Sequence, residues 1–222
     1  MPNVLMTMAD GGYKRIGQDF TFRPMQEYAE RNGFDFYNFD TLSTDRQYAW
    51  QWMDCVRRLL DRYDRLFFVS VDCIIAPNAT NVLNFPAGTF YGFDELPFDD
   101  APLNEGIGLK IWEHAMADWP DEFPLSKDYP KFLYNTGLML VDKSHQPLFA
   151  PVSNETDHGM MDMSVLNFRL YKYRMKHKDL YPNIFNASHL PGADKSQFLH
   201  VMWQKGSKYD AVKEWASRMG YK

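Results

Sequence analysis

The sequence is poor in cysteine and in positive charge, and each shortage argues against a class of protein. Its 222 residues include two cysteines, Cys55 and Cys73. Two thiols are too few for a disulfide framework and favour a reducing compartment. The net charge of −5 argues against the basic surface by which proteins bind nucleic acid phosphates. We therefore expect no nucleic-acid partner.

Long apolar runs are missing as well. No stretch approaches the roughly 20 apolar residues that cross a bilayer as a helix. The first twelve residues, MPNVLMTMADGG, lack the basic start and the apolar length of a signal peptide. We therefore expect no transmembrane segment, and either a cytoplasmic protein or an isolated catalytic domain.

Apolar and aromatic residues are plentiful, at 45% and 16% of the chain. This composition predicts a packed core, and the length suits one α/β domain over residues 1–222. Tyr48–Tyr63 has apolar residues at helical spacing, and the strand-like run Leu66–Val69 follows it directly. A continuous apolar strand of this kind is typical of a parallel sheet that is buried on both faces.

Asp72 interrupts the most apolar part of the chain, DRLFFVSVDCIIA over residues 64–76. The apolar runs Leu66–Val69 and Cys73–Ile75 lie on either side of it. Because burying a bare carboxylate is costly, Asp72 needs a partner. At the carboxyl end of a central strand that partner is usually a ligand or a metal ion. An aspartate that caps a turn or pairs with an arginine is the structural alternative.

A second polar interruption lies in Lys131–Asp142, KFLYNTGLMLVD, which the pattern predicts to be a strand. Asn135 and Thr136 offer short hydrogen-bonding groups, and Gly137 allows a ligand to approach the backbone closely. The apolar tail of the segment anchors it in a sheet. An ordinary buried strand is the alternative interpretation.

The first predicted strand, Asn3–Met8, continues into a loop that contains two adjacent glycines. Open α/β sheets bind nucleotides at such loops. The loop is not a G-x-G-x-x-G fingerprint, so a surface hairpin is an alternative.

Two further segments carry candidate functional groups. Val152–Met163 is an acidic loop that precedes a helix predicted over Ser164–Lys176. Carboxylates at this position also suit a helix dipole. Gln197–Lys208, QFLHVMWQKGSK, carries His200 in an apolar strand, and a lone histidine in such a strand is usually part of the core.

Taken together, these segments resemble the GT-A fold glycosyltransferases, above all the glycogenin-like and galactosyl- or mannosyltransferase families. The Ser70-Val71-Asp72 turn resembles their Asp-x-Asp motif, with Ser70 in place of the first aspartate. The segment from Asp162 to Asn167 resembles their Asp-Gln-x-x-Leu-Asn motif, with Met163 in place of the glutamine. The resemblance implies a Rossmann-like, mixed but mainly parallel central sheet flanked by helices.

The resemblance also implies an activity and a site. The activity is transfer of a hexosyl or pentosyl group from a nucleotide sugar, in the first instance a UDP-sugar, to a glycan or other hydroxyl acceptor, with retention of configuration. Mn²⁺ or Mg²⁺ would be held by Asp72 and His200, a suitable ligand pair. The implied catalytic or sugar-orienting residues are Asp162, Asp157 and Asn135. The implied donor-binding residues are Thr7, Asp10, Tyr13, Arg46, Ser70, Val71, Thr136, Gly137, Gly206 and Lys208.

Two alternatives stay open. A nucleotidyltransferase of related topology is disfavoured because no glycine-rich basic loop of the G-x-G-T-R type follows the first strand. A nucleotide-sugar-binding module without turnover is suggested by Ser70, which replaces a carboxylate of the family motif.

Overall fold

The fold is taken from a computed structural model that describes residues 2–40, 47–98, 113, 115–122, 130–155, 161–202 and 206–221. Arg46 and Asp157 lie outside the described residues. The strands are β1 (Asn3–Met8), β2 (Asp35–Phe39), β3 (Arg65–Val69), β4 (Cys73–Ile75), β5 (Phe90–Gly92), β6 (Leu138–Asp142), β7 (His177–Asp179), β8 (Phe185–Ala187) and β9 (Phe198–His200).

The α-helices with defined bounds are α1 (Gly11–Ile16), α2 (Phe22–Asn32), α3 (Tyr48–Leu60), α4 (Met161–Lys172) and α5 (Lys208–Arg218). Residues 113 and 115–118 are helical as well. A π-helical turn, Gly17–Thr21, joins α1 to α2. Short 3₁₀ turns lie at Val82–Asn84, Leu96–Phe98, Lys143–Phe149 and Ala193–Lys195. None of the described helices is both long enough and apolar enough to cross a membrane.

The strands form a six-stranded sheet of order β2-β1-β3-β6-β5-β7 and a three-stranded sheet of order β4-β9-β8. In the larger sheet β1 is parallel to β2 and β3, and β5 is parallel to β7, whereas β6 is antiparallel to both neighbours. The predicted mixed and mainly parallel central sheet is confirmed. Since β3 is central and covered on both faces, its sequence is an almost uninterrupted apolar run.

Helices pack on both faces of this sheet. On one face Trp52 of α3 stacks on Phe68 of β3, with ring centroids 5.1 Å apart. On the other face Phe67 of β3 meets Phe198 of β9 edge-on at 5.1 Å, which joins the small sheet to the large one. Tyr28 of α2 meets the same Phe198 ring edge-on at 5.3 Å. The carboxyl ends of β1 and β3 therefore lie between the layer that contains α3 and the layer that contains α2 and the small sheet.

A tight turn that contains Asp72 separates the two predicted apolar runs. β3 ends at Val69, and the N–H of Cys73 donates to the carbonyl of Ser70 at 2.9 Å. This turn sends the chain into β4, which belongs to the other sheet. The Ser70 hydroxyl donates to the Asp72 carboxylate at 2.7 Å, and short polar side chains that bond locally in this way compete with strand pairing.

Two predicted boundaries also differ from the structure. Strand β6 covers the second half of Lys131–Asp142, because the side-chain oxygen of Asn135 accepts the N–H of Gly137 at 2.7 Å and turns the chain before the strand. Helix α4 covers Met161–Lys172 and so includes Asp162, which the prediction placed in the loop before a helix over Ser164–Lys176. The helix ends early because Arg174 adopts a left-handed φ of 51°.

Candidate functional site

The carboxylate of Asp72 is the centre of a polar network between the two sheets. His200 Nε2 lies 3.1 Å from Oδ1, and Lys208 Nζ lies 3.0 Å from Oδ2. The Ser70 hydroxyl completes the set at 2.7 Å from Oδ1. The chain order explains this meeting, since β4 pairs with β9 and sets Cys73 opposite His200, while Lys208 begins the helix that follows.

Asp72 is 5% exposed, and its ionised form depends on these neighbours. Burial alone would raise the pKa of this carboxyl. His200, Lys208 and the Ser70 hydroxyl outweigh that effect and hold the pKa of Asp72 well below its ordinary value. Asp72 is therefore a buried carboxylate that stays ionised beside the Lys208 ammonium.

Asn135 fixes the hydrogen-bonding state of His200. Asn135 Oδ1 accepts the backbone N–H of Gly137 at 2.7 Å, which identifies that atom as the oxygen. The same oxygen lies 3.0 Å from His200 Nδ1, so Nδ1 carries the hydrogen of this bond. Nε2 is then the nitrogen that faces Asp72, which is the arrangement of a metal-binding histidine with an outer-shell partner.

Gly137 is required for this packing. A Cβ atom at this position would lie 2.2 Å from His200 Cε1 and 2.3 Å from Nδ1. The space that the glycine leaves free is filled by the His200 imidazole. The sequence-based interpretation assigned that space to a ligand.

Five of the predicted donor-binding or metal-ligating residues line one pocket of about 410 Å³: Asp10, Tyr13, Ser70, Val71 and Asp72. This volume is within the usual range for a small-molecule site. Asp10 caps α1 by accepting the Gly11 N–H at 2.6 Å, and Tyr13 on the same helix is 46% exposed. An accessible aromatic ring and a buried carboxylate thus share one pocket.

Tyr48 also lines this pocket and was missed by the sequence analysis. Its hydroxyl donates to the Met8 carbonyl at 3.0 Å. Burial, followed by the charges of Asp72 and Asp162, raises the pKa of Tyr48 well above its ordinary value. Tyr48 therefore lies within electrostatic range of both carboxylates. Of the residues predicted to bind the donor, Arg46 is the closest to Tyr48 in the sequence, two positions before it.

Asp162 and Thr136 meet in a second polar group. The Thr136 hydroxyl donates to Asp162 Oδ2 at 3.2 Å, and the Trp52 indole N–H donates to the same atom at 2.8 Å. Burial raises the pKa of Asp162, and these donors partly offset the increase. The indole of Trp52 was not predicted as a site group, since its helical spacing indicated a core residue.

The remaining predicted residues are placed as follows. Thr7 is fully buried in β1, and its hydroxyl has no hydrogen-bond partner in the described part of the chain. Gly206 is exposed, with a left-handed φ of 98°, two residues before Lys208.

The two ligand atoms that a divalent cation would use are an Asp72 oxygen and His200 Nε2. Cys73 lies beside them, and burial raises the pKa of its thiol well above the ordinary value. Cys73 is therefore a thiol and a poor ligand at neutral pH. Carboxylate oxygen and imidazole nitrogen suit Mn²⁺, and the ammonium of Lys208 already places a cation on this carboxylate. The residues thus fit two ligand positions of a divalent ion.

Glu95 is a second buried carboxyl that the sequence analysis missed. It follows β5, is 5% exposed, and accepts a hydrogen bond from Asn135 Nδ2 at 3.1 Å. Burial raises the pKa of Glu95 to about 8. Its position in a loop rich in acidic residues gave no signal that it would be buried.

The raised pKa predicts a pH-dependent gain of stability in Glu95→Gln. Between the ordinary pKa and about 8, the folded protein keeps a proton that the unfolded chain loses, so the free energy of unfolding falls as the pH rises. Glutamine removes this dependence. In urea unfolding from pH 5 to 8, the stability of Glu95→Gln relative to the parent should increase by up to about 1.4 kcal/mol per pH unit. A constant difference across this range would contradict the assignment.

No protein-family model and no curated protein sequence matches this chain. Among solved structures, it is similar to the crystal structure of a glycosyltransferase involved in the glycosylation of the major capsid of PBCV-1. The similarity covers 95% of this chain and 98% of that chain, with a TM-score of 0.58 and 13% sequence identity. At this identity the similarity establishes the fold, and this chain has the fold of a glycosyltransferase.

Proposed function

We propose that this protein is a retaining glycosyltransferase that uses a UDP-sugar and Mn²⁺ or Mg²⁺ and acts on a glycan or other hydroxyl acceptor. The observation that carries the proposal is the Asp72 carboxylate at the wall of the Tyr13 pocket, with His200 and Lys208 on its two oxygens. A nucleoside diphosphate site needs an aromatic ring that can stack on the base. It also needs a carboxylate that can hold the metal ion of the metal–diphosphate group.

Each part of the donor has a matching group. The exposed ring of Tyr13 would stack on uracil, and Lys208 would contact the diphosphate together with the flexible backbone of Gly206. Asp72 and His200 would hold the cation. Asp162, Thr136 and Asn135 would face the sugar.

Charge explains why these groups are needed. The nucleoside diphosphate departs with negative charge, and a divalent ion at Asp72 would neutralise it as the glycosidic bond breaks. Lys208 is within reach of the same charge, because its ammonium already lies 3.0 Å from Asp72. The sugar develops oxocarbenium character, which the Asp162 carboxylate would stabilise.

The reaction would proceed on one face of the sugar, within an ion pair, so no strong protein nucleophile is required. Asp162 is held by Trp52 and Thr136, which suits a group that orients and stabilises charge. A binding module without turnover is the second candidate. Ser70, and the Lys208 ammonium that already contacts Asp72, favour it.

Release of UDP from a panel of UDP-sugars, with and without Mn²⁺, tests the proposal and separates the two candidates. Mn²⁺-dependent release from at least one sugar supports the transferase. Binding of UDP without release from any sugar, with or without a glycan acceptor, supports the binding module.

Tyr13→Ala is expected to weaken UDP binding by roughly 1–3 kcal/mol, the usual contribution of stacking between a base and an aromatic ring. Calorimetric titration measures the change. Tyr173→Ala is the matched control, because Tyr173 is exposed to a similar extent, 43% against 46%, and does not line the pocket. Equal affinity of both variants would remove Tyr13 from the site.

A further inference from the structure

A second tyrosine, Tyr48, shares the nucleotide pocket with Tyr13. Both residues line the cavity of about 410 Å³ that also contains Asp72. Tyr13 is 46% exposed and Tyr48 is 40% exposed. Of these two rings, the proposed function uses that of Tyr13. A partly exposed aromatic ring in the wall of a cavity offers a large apolar contact surface to a ligand, so Tyr48 is a candidate for a second contact.

The two tyrosines reach the pocket from opposite layers of the fold. Tyr13 belongs to α1, whose Ile16 packs with Ile74 of β4 and so joins the layer that contains the small sheet. Tyr48 begins α3, which covers the other face of the large sheet. The pocket at the carboxyl ends of the strands therefore has one tyrosine from each layer in its wall.

The hydroxyl of Tyr48 fixes the position of its ring. Tyr48 is the first residue of α3, and side chains in a helix lean towards the helix N-terminus. The hydroxyl donates to the carbonyl of Met8, the last residue of β1, at 3.0 Å. The ring is thus held at its polar end, and it loses little conformational freedom when a ligand packs on it.

A flat aromatic group is the ligand that suits two such rings. Aromatic rings attract one another in stacked arrangements, and a nucleobase has two faces on which a ring can stack. Because the Tyr48 hydroxyl already uses its hydrogen on Met8, the ring offers mainly apolar contact. Such contact suits a base better than it suits the hydroxyl groups of a sugar.

We propose that Tyr48 is a second base-binding residue, whose ring packs on the face of the base opposite to Tyr13. The inference rests on the proposed function, since it concerns the base of the same nucleotide. The base is then held between two rings that belong to different layers, and each ring contributes to the affinity for the nucleotide.

Calorimetric titration of UDP in the presence of Mn²⁺ measures the contribution of the ring. Tyr48→Leu removes the ring but keeps apolar bulk, and it should weaken UDP binding roughly 5- to 150-fold, the usual effect of losing one base-stacking ring. Tyr48→Phe keeps the ring and should bind UDP much more tightly than Tyr48→Leu. No loss in Tyr48→Leu, or equal losses in the two variants, would overturn the proposal.

Tyr171→Leu is the matched control for this titration. Tyr171 is also helical and 40% exposed, and it does not line this pocket. The control should bind UDP as the parent does. A loss in Tyr171→Leu as large as that in Tyr48→Leu would contradict a specific role of Tyr48.

Nuclear Overhauser effects in the UDP complex test the contact itself, and a merely structural role of Tyr48 would not produce them. In protein with isotope-labelled tyrosine rings, the uracil protons should show contacts to two rings, and Tyr48→Phe identifies the signals of Tyr48. Contacts to Tyr13 alone would overturn this inference and leave the proposed function intact. Failure of the parent to bind UDP would refute the proposed nucleotide site and this inference together.

Discussion

Asp72→Asn is expected to abolish the effect of Mn²⁺ on UDP affinity. The substitution keeps the shape of the side chain and removes the one carboxylate among the described residues that contacts both His200 and Lys208. It also leaves the Lys208 ammonium without its counter-charge, so the free energy of unfolding should fall by about 3–5 kcal/mol, as when a buried ion pair loses one partner. Titration of UDP with Mn²⁺ and with EDTA measures the first effect, and urea unfolding the second.

Asp142→Asn is the matched control. Asp142 is also buried and lies 3.0 Å from a histidine nitrogen, His145 Nδ1, but at the opposite end of β6 from Gly137. It should lose stability and retain the effect of Mn²⁺. If Asp72→Asn and Asp142→Asn respond to Mn²⁺ alike, Asp72 is not a metal ligand.

Gly137→Ala is expected to have the second large effect. The added Cβ would overlap the His200 ring at 2.2 Å, and the buried ring has little space into which to move. Overpacking of this kind typically costs about 1–3 kcal/mol of stability. Displacement of His200 should also remove Mn²⁺-dependent UDP binding, which calorimetry measures.

A double-mutant cycle with His200→Ala isolates this cause. Without the imidazole, the Cβ that Gly137→Ala adds has room, so making this substitution in the His200→Ala background should cost much less than making it in the parent. Equal costs in both backgrounds would show that the alanine acts through the backbone rather than through His200.

The central architecture was predictable because the buried strands carry a strong signal. Leu66–Val69 is an uninterrupted apolar run, and Tyr48–Tyr63 has apolar residues at helical spacing. The structure has a strand over Arg65–Val69 and a helix over Tyr48–Leu60. The passage of the chain from the large sheet to the small one at Asp72 was not predictable from periodicity. A turn that passes the chain from one sheet to another has apolar residues on both sides, as a single strand does.

Part of the site was predictable because its polar residues stand out against apolar strands. Asp72, His200 and Lys208 stand out because polar residues follow apolar strands, and the structure brings these three together. Glu95 and Tyr48 could not be identified, since their roles depend on contacts with residues distant in sequence. Gly137 was identified as a point of close approach, but the group that approaches it is a side chain of the protein.

Calorimetric titration of UDP, first with Mn²⁺ and then with EDTA, tests the central claim most directly. We predict binding with Mn²⁺ that is at least about tenfold weaker with EDTA, the loss expected when a metal that links protein and diphosphate is removed. Equal affinity in both conditions would contradict the assignment of Asp72 and His200 as metal ligands. No binding in either condition would contradict the nucleotide-sugar site itself.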